Sequence, residues 1–178
     1  MEIDFHLWSA DQLDDYITTV IHPNIQKKVD EVKAGFLVMT TFQNPEGDLL
    51  KAKDLFWEGM AKMENHLRKE AAVIMPFAKR YKKELQKEDK TRKPGLMSAC
   101  PSIHEMYQYH KTEDLHFDLI LAIIKKFEAQ LQKLQAYQET CMGLLELKRL
   151  WNEQVKLEND ILFPKIVEME ALLYPNDL

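Results

Sequence analysis

Three histidines and a glutamine, His22, His66, His110 and Gln154, follow one another at intervals of 44 residues. Four residues past the second and the fourth stand Glu70 and Glu158, which puts each carboxylate one turn along the same face of a helix. The halves also repeat at an offset of 88. His66-Leu-Arg-Lys-Glu70-Ala-Ala-Val-Ile-Met-Pro76 answers Gln154-Val-Lys-Leu-Glu158-Asn-Asp-Ile-Leu-Phe-Pro164, and His22 answers His110. Imidazoles and carboxylates projecting inward from several helices are the donor set of bundle-core iron sites, where carboxylate oxygens bridge the metals and His nitrogens cap them. A single His-x-x-x-Glu carries little weight, because polar i,i+4 pairs are common on solvated faces. The register of the whole set carries more, with a metal-free packing layer as the bland alternative.

Long helices are needed to hold such a set, and the composition favours them. Only five Gly and seven Pro interrupt 178 residues that are 46% hydrophobic and 30% charged, which suits one globular domain over residues 1–178. Ser9 followed by Gln12 has the form of a capping box, and Leu13, Tyr16, Ile17, Val20, Ile21, Val29, Val32 and Phe36 continue at helical spacing, predicting a helix over 10–42. Asn44-Pro45-Glu46-Gly47 breaks it. A second helix carries Leu50, Leu55, Met60, Met63, Leu67, Val73, Ile74, Phe77 and Tyr81. After a polar stretch with Pro94 and Gly95, Pro101 and Ser102 open a third, which runs through Ile103, Met106, Tyr107, His110, Phe117, Ile120, Ile124 and Phe127. A fourth extends from about Gln138 to Leu173 and stops at Pro175. The predicted fold is all-α, an antiparallel up-down-up-down four-helix bundle. Equal steps of 44 residues in that topology bring positions 22, 66, 110 and 154 to one layer near mid-height.

Several function classes are disfavoured. A net charge of −5 gives no dense basic face for nucleic acid, and the basic stretch from Lys79 to Lys93 is interrupted by Glu84, Glu88 and Asp89, as in a solvated helix end. The longest aliphatic run, Leu119 to Ile124, is too short to span a bilayer, and the acidic start lacks the form of a secretion signal. A cytoplasmic protein without membrane contact is expected. Cys100 and Cys141 cannot form a disulfide framework and lack CxxC spacing, so reduced thiols are expected.

The motif residues resemble the hemerythrin-like (HHE cation-binding) family, closest to the iron-sulfur cluster repair di-iron proteins. The pattern of that family has an isolated His on helices one and three and His-x-x-x-Glu on helices two and four. His22, His66, Glu70, His110, Glu158 and Leu162-Phe163-Pro164 match it, and Leu157-Glu158-Asn159 looks like its Leu-Glu-Asn. The resemblance covers nearly the whole chain and implies a non-haem pair of iron ions that meets oxygen, nitric oxide or peroxide, or passes iron on, under oxidative or nitrosative stress. Two departures stand out: Gln154 replaces a ligand His, and no Cys precedes residue 100, where the repair proteins carry a Cys pair. A neutral amide oxygen binds iron more weakly than an imidazole, so the second iron is expected to be loose. A reversible carrier or sensor, and a metal-free helical interaction module that has lost its iron site, share the same fold.

Other residues enter less directly. Asp114, one turn past His110, and Glu113 are candidates to supply the ligand that Gln154 does not, with solvated ion pairing as their ordinary role. His104 and His116 lie six residues either side of His110, roughly 240° round the helix, at expected surface or rim positions. Pro23, Pro76 and Pro164 each free a backbone carbonyl and bend a helix, either shaping the mouth of the site or serving no chemistry. Met63 and Trp151 are read as core.

Overall fold

A computed structural model describes residues 3–42, 47–87, 97–112 and 115–174, and every regular element among them is helical. The expected break at Asn44-Pro45-Glu46, the stretch with Pro94 and Gly95, the candidates Glu113 and Asp114, and the stop at Pro175 lie outside the described residues. In chain order the α-helices are α1 (Ala10–Tyr16), α2 (His22–Phe42), α3 (Asp48–Lys69), α4 (Met75–Leu85), α5 (Cys100–Thr112), α6 (Phe117–Lys125), α7 (Glu128–Leu131), α8 (Gln135–Leu157) and α9 (Phe163–Leu173). One-turn π-helices at Ile17–Ile21, Glu70–Ile74 and Glu158–Leu162 join α1 to α2, α3 to α4 and α8 to α9. Three long helical runs, 10–42, 48–85 and 135–173, therefore match the sequence pattern. The start at Ser9 matches too: Gln12 Oε1 accepts hydrogen bonds from the backbone N and the Oγ of Ser9, at 2.9 Å each.

The predicted third helix does not run through. It ends at Thr112 and resumes at Phe117 after His116, whose φ of 58° is left-handed. No Gly or Pro marks that break, and Phe127 lies beyond α6 as the residue that caps α7.

The chain divides into two compact units. The first holds residues 1–20, 67–113 and 153–178, the second residues 21–66 and 114–152. In the first, α4 packs on α9 and α1 on α4, while α5 and α1 meet the π turns at 70–74 and 158–162 respectively; Ile17, Ile74, Tyr81, Leu162, Phe163 and Ile166 form its core. In the second, Val32, Phe36, Phe56, Met60, Ile120 and Leu147 are buried. There α2 and α8 approach closely, since a Cβ on Gly143 would stand 2.6 Å from Val32 Cγ2.

Part of the apolar pattern points outward. Val20 and Val73 are exposed because each sits in a π turn, whose extra residue rotates the following side chains out of the 3.6-residue register. Leu50 is exposed because Leu49, in phase with Ala52, Phe56 and Met60, takes the core position. Among the described residues no helix is long and apolar enough to cross a membrane, and Cys100 and Cys141 are half-buried, unbridged thiols.

Candidate metal centre

The π turns explain how the two glutamates are placed. Each turn ends two residues before a proline: Ile21 before Pro23, Ile74 before Pro76, Leu162 before Pro164. Proline has no N–H to donate to the carbonyl four residues back, and its ring crowds that carbonyl. The helix relieves the crowding by widening for one turn, so that Met75 N donates to Glu70 O and Phe163 N donates to Glu158 O, five residues back in each case. Such turns are frequent at functional sites. Two of the three are opened by Glu70 and Glu158, both fully buried, and the other by Ile17.

Four of the six sequence-derived site residues lie in the first unit. His110 presents Nε2 to Glu158 Oε2 at 3.2 Å. Its other nitrogen, Nδ1, lies 2.8 Å from Asn159 Oδ1. An amide oxygen only accepts, so Nδ1 is the nitrogen that donates to Asn159, and Nε2 is the one that faces the carboxylate. The Tyr107 hydroxyl donates to Asn159 O at 2.9 Å, and Phe163 stacks on the imidazole with centroids 6.0 Å apart and planes 4° from parallel. Gln154, fully buried, donates from Nε2 to Glu70 Oε2 at 3.1 Å.

Glu70 has its carboxyl pushed well above the usual carboxylate range, first by burial, then by the charge of Glu158 and a hydrogen bond shared with it, and further by Asp14; the Gln154 amide pulls the other way. Two buried carboxylates side by side disfavour a second negative charge. A bound cation would reverse that preference.

The remaining two residues belong to the second unit. His66 stands one turn before Glu70 on the unbroken α3, is 1% exposed, and meets the Trp151 ring edge-on with centroids 5.1 Å apart. Met63 and Trp151 are both buried, as read from the sequence. His22 opens α2 and is half-buried. His104 is exposed and His116 half-buried.

Asp14 and Asn159 acquire roles that the sequence reading did not assign. The Asp14 carboxylate is buried against the exposed Lys79 ammonium at 3.0 Å. Its signal was present, since Ala10, Leu13, Asp14, Ile17 and Ile21 share one apolar stripe at helical spacing. Asn159 had been noted only as part of a motif.

No family model, no curated protein and no solved structure matches the chain. What the centre can do rests on its donors. An imidazole beside a buried carboxylate, as in His110 and Glu158, suits a first-row transition metal better than calcium or magnesium, which prefer all-oxygen shells.

Proposed function

We propose that the chain is a hemerythrin-like protein, an antiparallel four-helix bundle that binds non-haem iron and meets oxygen, nitric oxide or peroxide in the cytoplasm during stress. The observation that carries this reading is the His110 imidazole standing 3.2 Å from the fully buried Glu158 carboxylate. Burial of a carboxylate beside an imidazole is unfavourable unless the groups are paired or metallated, and the Asn159 contact at Nδ1 holds the ring so that Nε2 faces Glu158. His110 and Glu158 would hold the ion, and Tyr107, Asn159 and Phe163 would fix the ring of His110. Iron on His and carboxylate ligands supplies open coordination positions for a small ligand and a one-electron couple.

Protein purified from iron-fed cells is expected to contain iron, and His110→Ala to lose it while keeping its far-ultraviolet helix signal. Iron-free wild type, or a variant that retains the full iron content, overturns the reading. A metal-free interaction module has one observation in its favour: the Gln154 amide donates to the buried Glu70 carboxyl and so partners it without an ion. Iron-free wild type is the outcome that would support it.

A further inference from the structure

We propose that Glu170 and Tyr81 are positioning residues: from α9 and α4 they fix the start of α5, and through that helix they set the imidazole of His110 against Glu158. The proposal rests on the iron-binding reading above for what the imidazole is positioned to do. Every residue in it belongs to the first unit.

Left to its own residues, α5 starts poorly. Its first backbone hydrogen bond runs from Ile103 N to Ala99 O at 2.9 Å, which makes Ala99 the capping residue, and an alanine has no side-chain oxygen to cap with. The third residue of the helix is Ser102, where a capping box would carry a Glu or Gln to take the N–H of the capping residue. Glu170 supplies the missing acceptor from another helix. Its Oε2 accepts from Ala99 N at 2.9 Å and lies 3.0 Å from the Tyr81 hydroxyl. That hydroxyl also accepts from Ala99 N at 3.0 Å and lies 3.0 Å from Met97 O. Tyr81 and Ala99 are fully buried and Glu170 is 8% exposed. A carboxylate is also the acceptor that the positive end of a helix dipole favours.

The anchor matters because α5 has little else to hold it. Its 13 residues bury two apolar side chains, Ile103 and Met106, and isolated helices shorter than ~12–15 residues are marginal in water. Tertiary contacts at its two ends therefore decide where it lies. One end is tied to Tyr81 and Glu170; near the other, Tyr107 and His110 both reach Asn159. His110 stands about 15 Å along the helix axis from Cys100, so a slide or rotation of the first turn carries the imidazole with it. A binding site loses its geometry over displacements of about 0.5 Å.

The test uses the full chain, metal-free and with 15N-labelled histidine, and reads the two ring-nitrogen shifts of His110 by proton–nitrogen correlation. Cobalt(II) affinity is then measured on the same samples by equilibrium dialysis. Tyr81→Phe, which removes a single oxygen, and Glu170→Ala are expected to move the His110 shifts and to lower cobalt affinity ~10-fold, the low end for a group that acts through a ligand. Glu170→Gln keeps a carbonyl oxygen for the Ala99 N–H and should lie closer to wild type than Glu170→Ala does. Gly143→Ala strains a contact in the second unit and should leave the His110 shifts unchanged, since lost stability alone does not move the ring. Wild-type shifts in Tyr81→Phe and in folded Glu170→Ala overturn the proposal, as does an equal change in Gly143→Ala or in Glu170→Gln and Glu170→Ala alike. If Glu170→Ala does not fold, Tyr81→Phe decides alone. Shifts that move as expected while no sample, wild type included, binds cobalt uphold the positioning and overturn the iron-binding reading.

Discussion

Glu70 and Glu158 open π turns of equal length, 88 residues apart, each followed two residues later by proline, yet the side chains around them have diverged. Glu158 meets the imidazole of His110, held in place by Asn159, whereas Glu70 meets the amide of Gln154 and is followed by Ala71. The backbone device persists in both halves because proline imposes it locally, whatever the carboxylate binds. Ligand chemistry depends on single side chains at 66, 154, 71 and 159, and can change in one half alone. A regular repeat is therefore better evidence for where a site sits than for what each half of it holds.

The comparison breaks most clearly at its complete half. His110→Ala or Glu158→Ala should weaken metal binding by more than ~100-fold, because removing a ligand exceeds the ~10- to 100-fold effect of removing a ligand's neighbour. Equilibrium dialysis against cobalt(II) reads this directly. The corresponding change in the other half, His22→Ala, should alter binding far less; equal losses from His22→Ala and His110→Ala would show that the halves are equivalent after all.

Asn159 sharpens the same contrast. Asn159→Ala removes the acceptor that fixes the His110 tautomer and should lower affinity ~10- to 100-fold with little change in helix content. Ala71→Asn, the reciprocal substitution, should leave single-ion affinity within a few-fold of wild type. If Asn159→Ala binds metal as tightly as wild type, orientation of the ring comes from the Phe163 stack instead.

The long helices could be read from the sequence because apolar spacing and breakers act within a few residues. The run over 10–42 and the capping contact of Ser9 with Gln12 are examples. The break before Phe117 could not be read, because a left-handed His116 is a conformation that a non-glycine residue adopts through its surroundings and not through local preference. Proline positions announced an interrupted hydrogen-bond ladder but not its form; a π turn and a kink relieve the same clash, and only the former moves Val20 and Val73 outward. The register singles out His66, His110, Glu70, Glu158 and Gln154, and of these the fold pairs His110 with Glu158 and Gln154 with Glu70. The pairing of Gln154 with Glu70 could not be read, since residue type gives an amide both a donor and an acceptor and only packing decides which end faces the carboxyl.

A smaller effect separates the second unit from this chemistry. Gly143→Ala would push a Cβ to 2.6 Å from Val32 Cγ2, and a β-branched side chain on a helix has little rotamer freedom with which to yield. A loss of about 1–3 kcal/mol in urea unfolding is expected, as for other overpacked contacts, with metal per folded chain unchanged. A parallel loss of metal would mean that the α2–α8 contact is coupled to the ligands.

The weakest effect lies where the repeat has no counterpart. Tyr81 corresponds to Met169 in the other half. Its hydroxyl donates to Glu170 Oε2 at 3.0 Å and receives the backbone N–H of Ala99 at 3.0 Å, inside the first unit. Burial, then the hydrogen bond and charge of Glu170, push the Tyr81 hydroxyl far above its ordinary range. A tyrosine in the unfolded chain ionises near pH 10, so above that pH the unfolded state releases a proton that the folded state keeps. Stability linked to Tyr81 is then fully present below about pH 10 and falls as pH rises beyond it, with a limiting slope of ~1.4 kcal/mol per pH unit for one group. Tyr107 and Tyr137 are also shifted upward, chiefly by burial, so the alkaline slope of wild type has several contributors. The part that belongs to Tyr81 is the difference between wild type and Tyr81→Phe, measured by urea unfolding at pH 9 and at about pH 11. Wild type should lose more stability over that interval than the variant does. Equal losses would show that Tyr81 ionises as readily in the fold as outside it, and that the Glu170 contact is too weak to hold its proton.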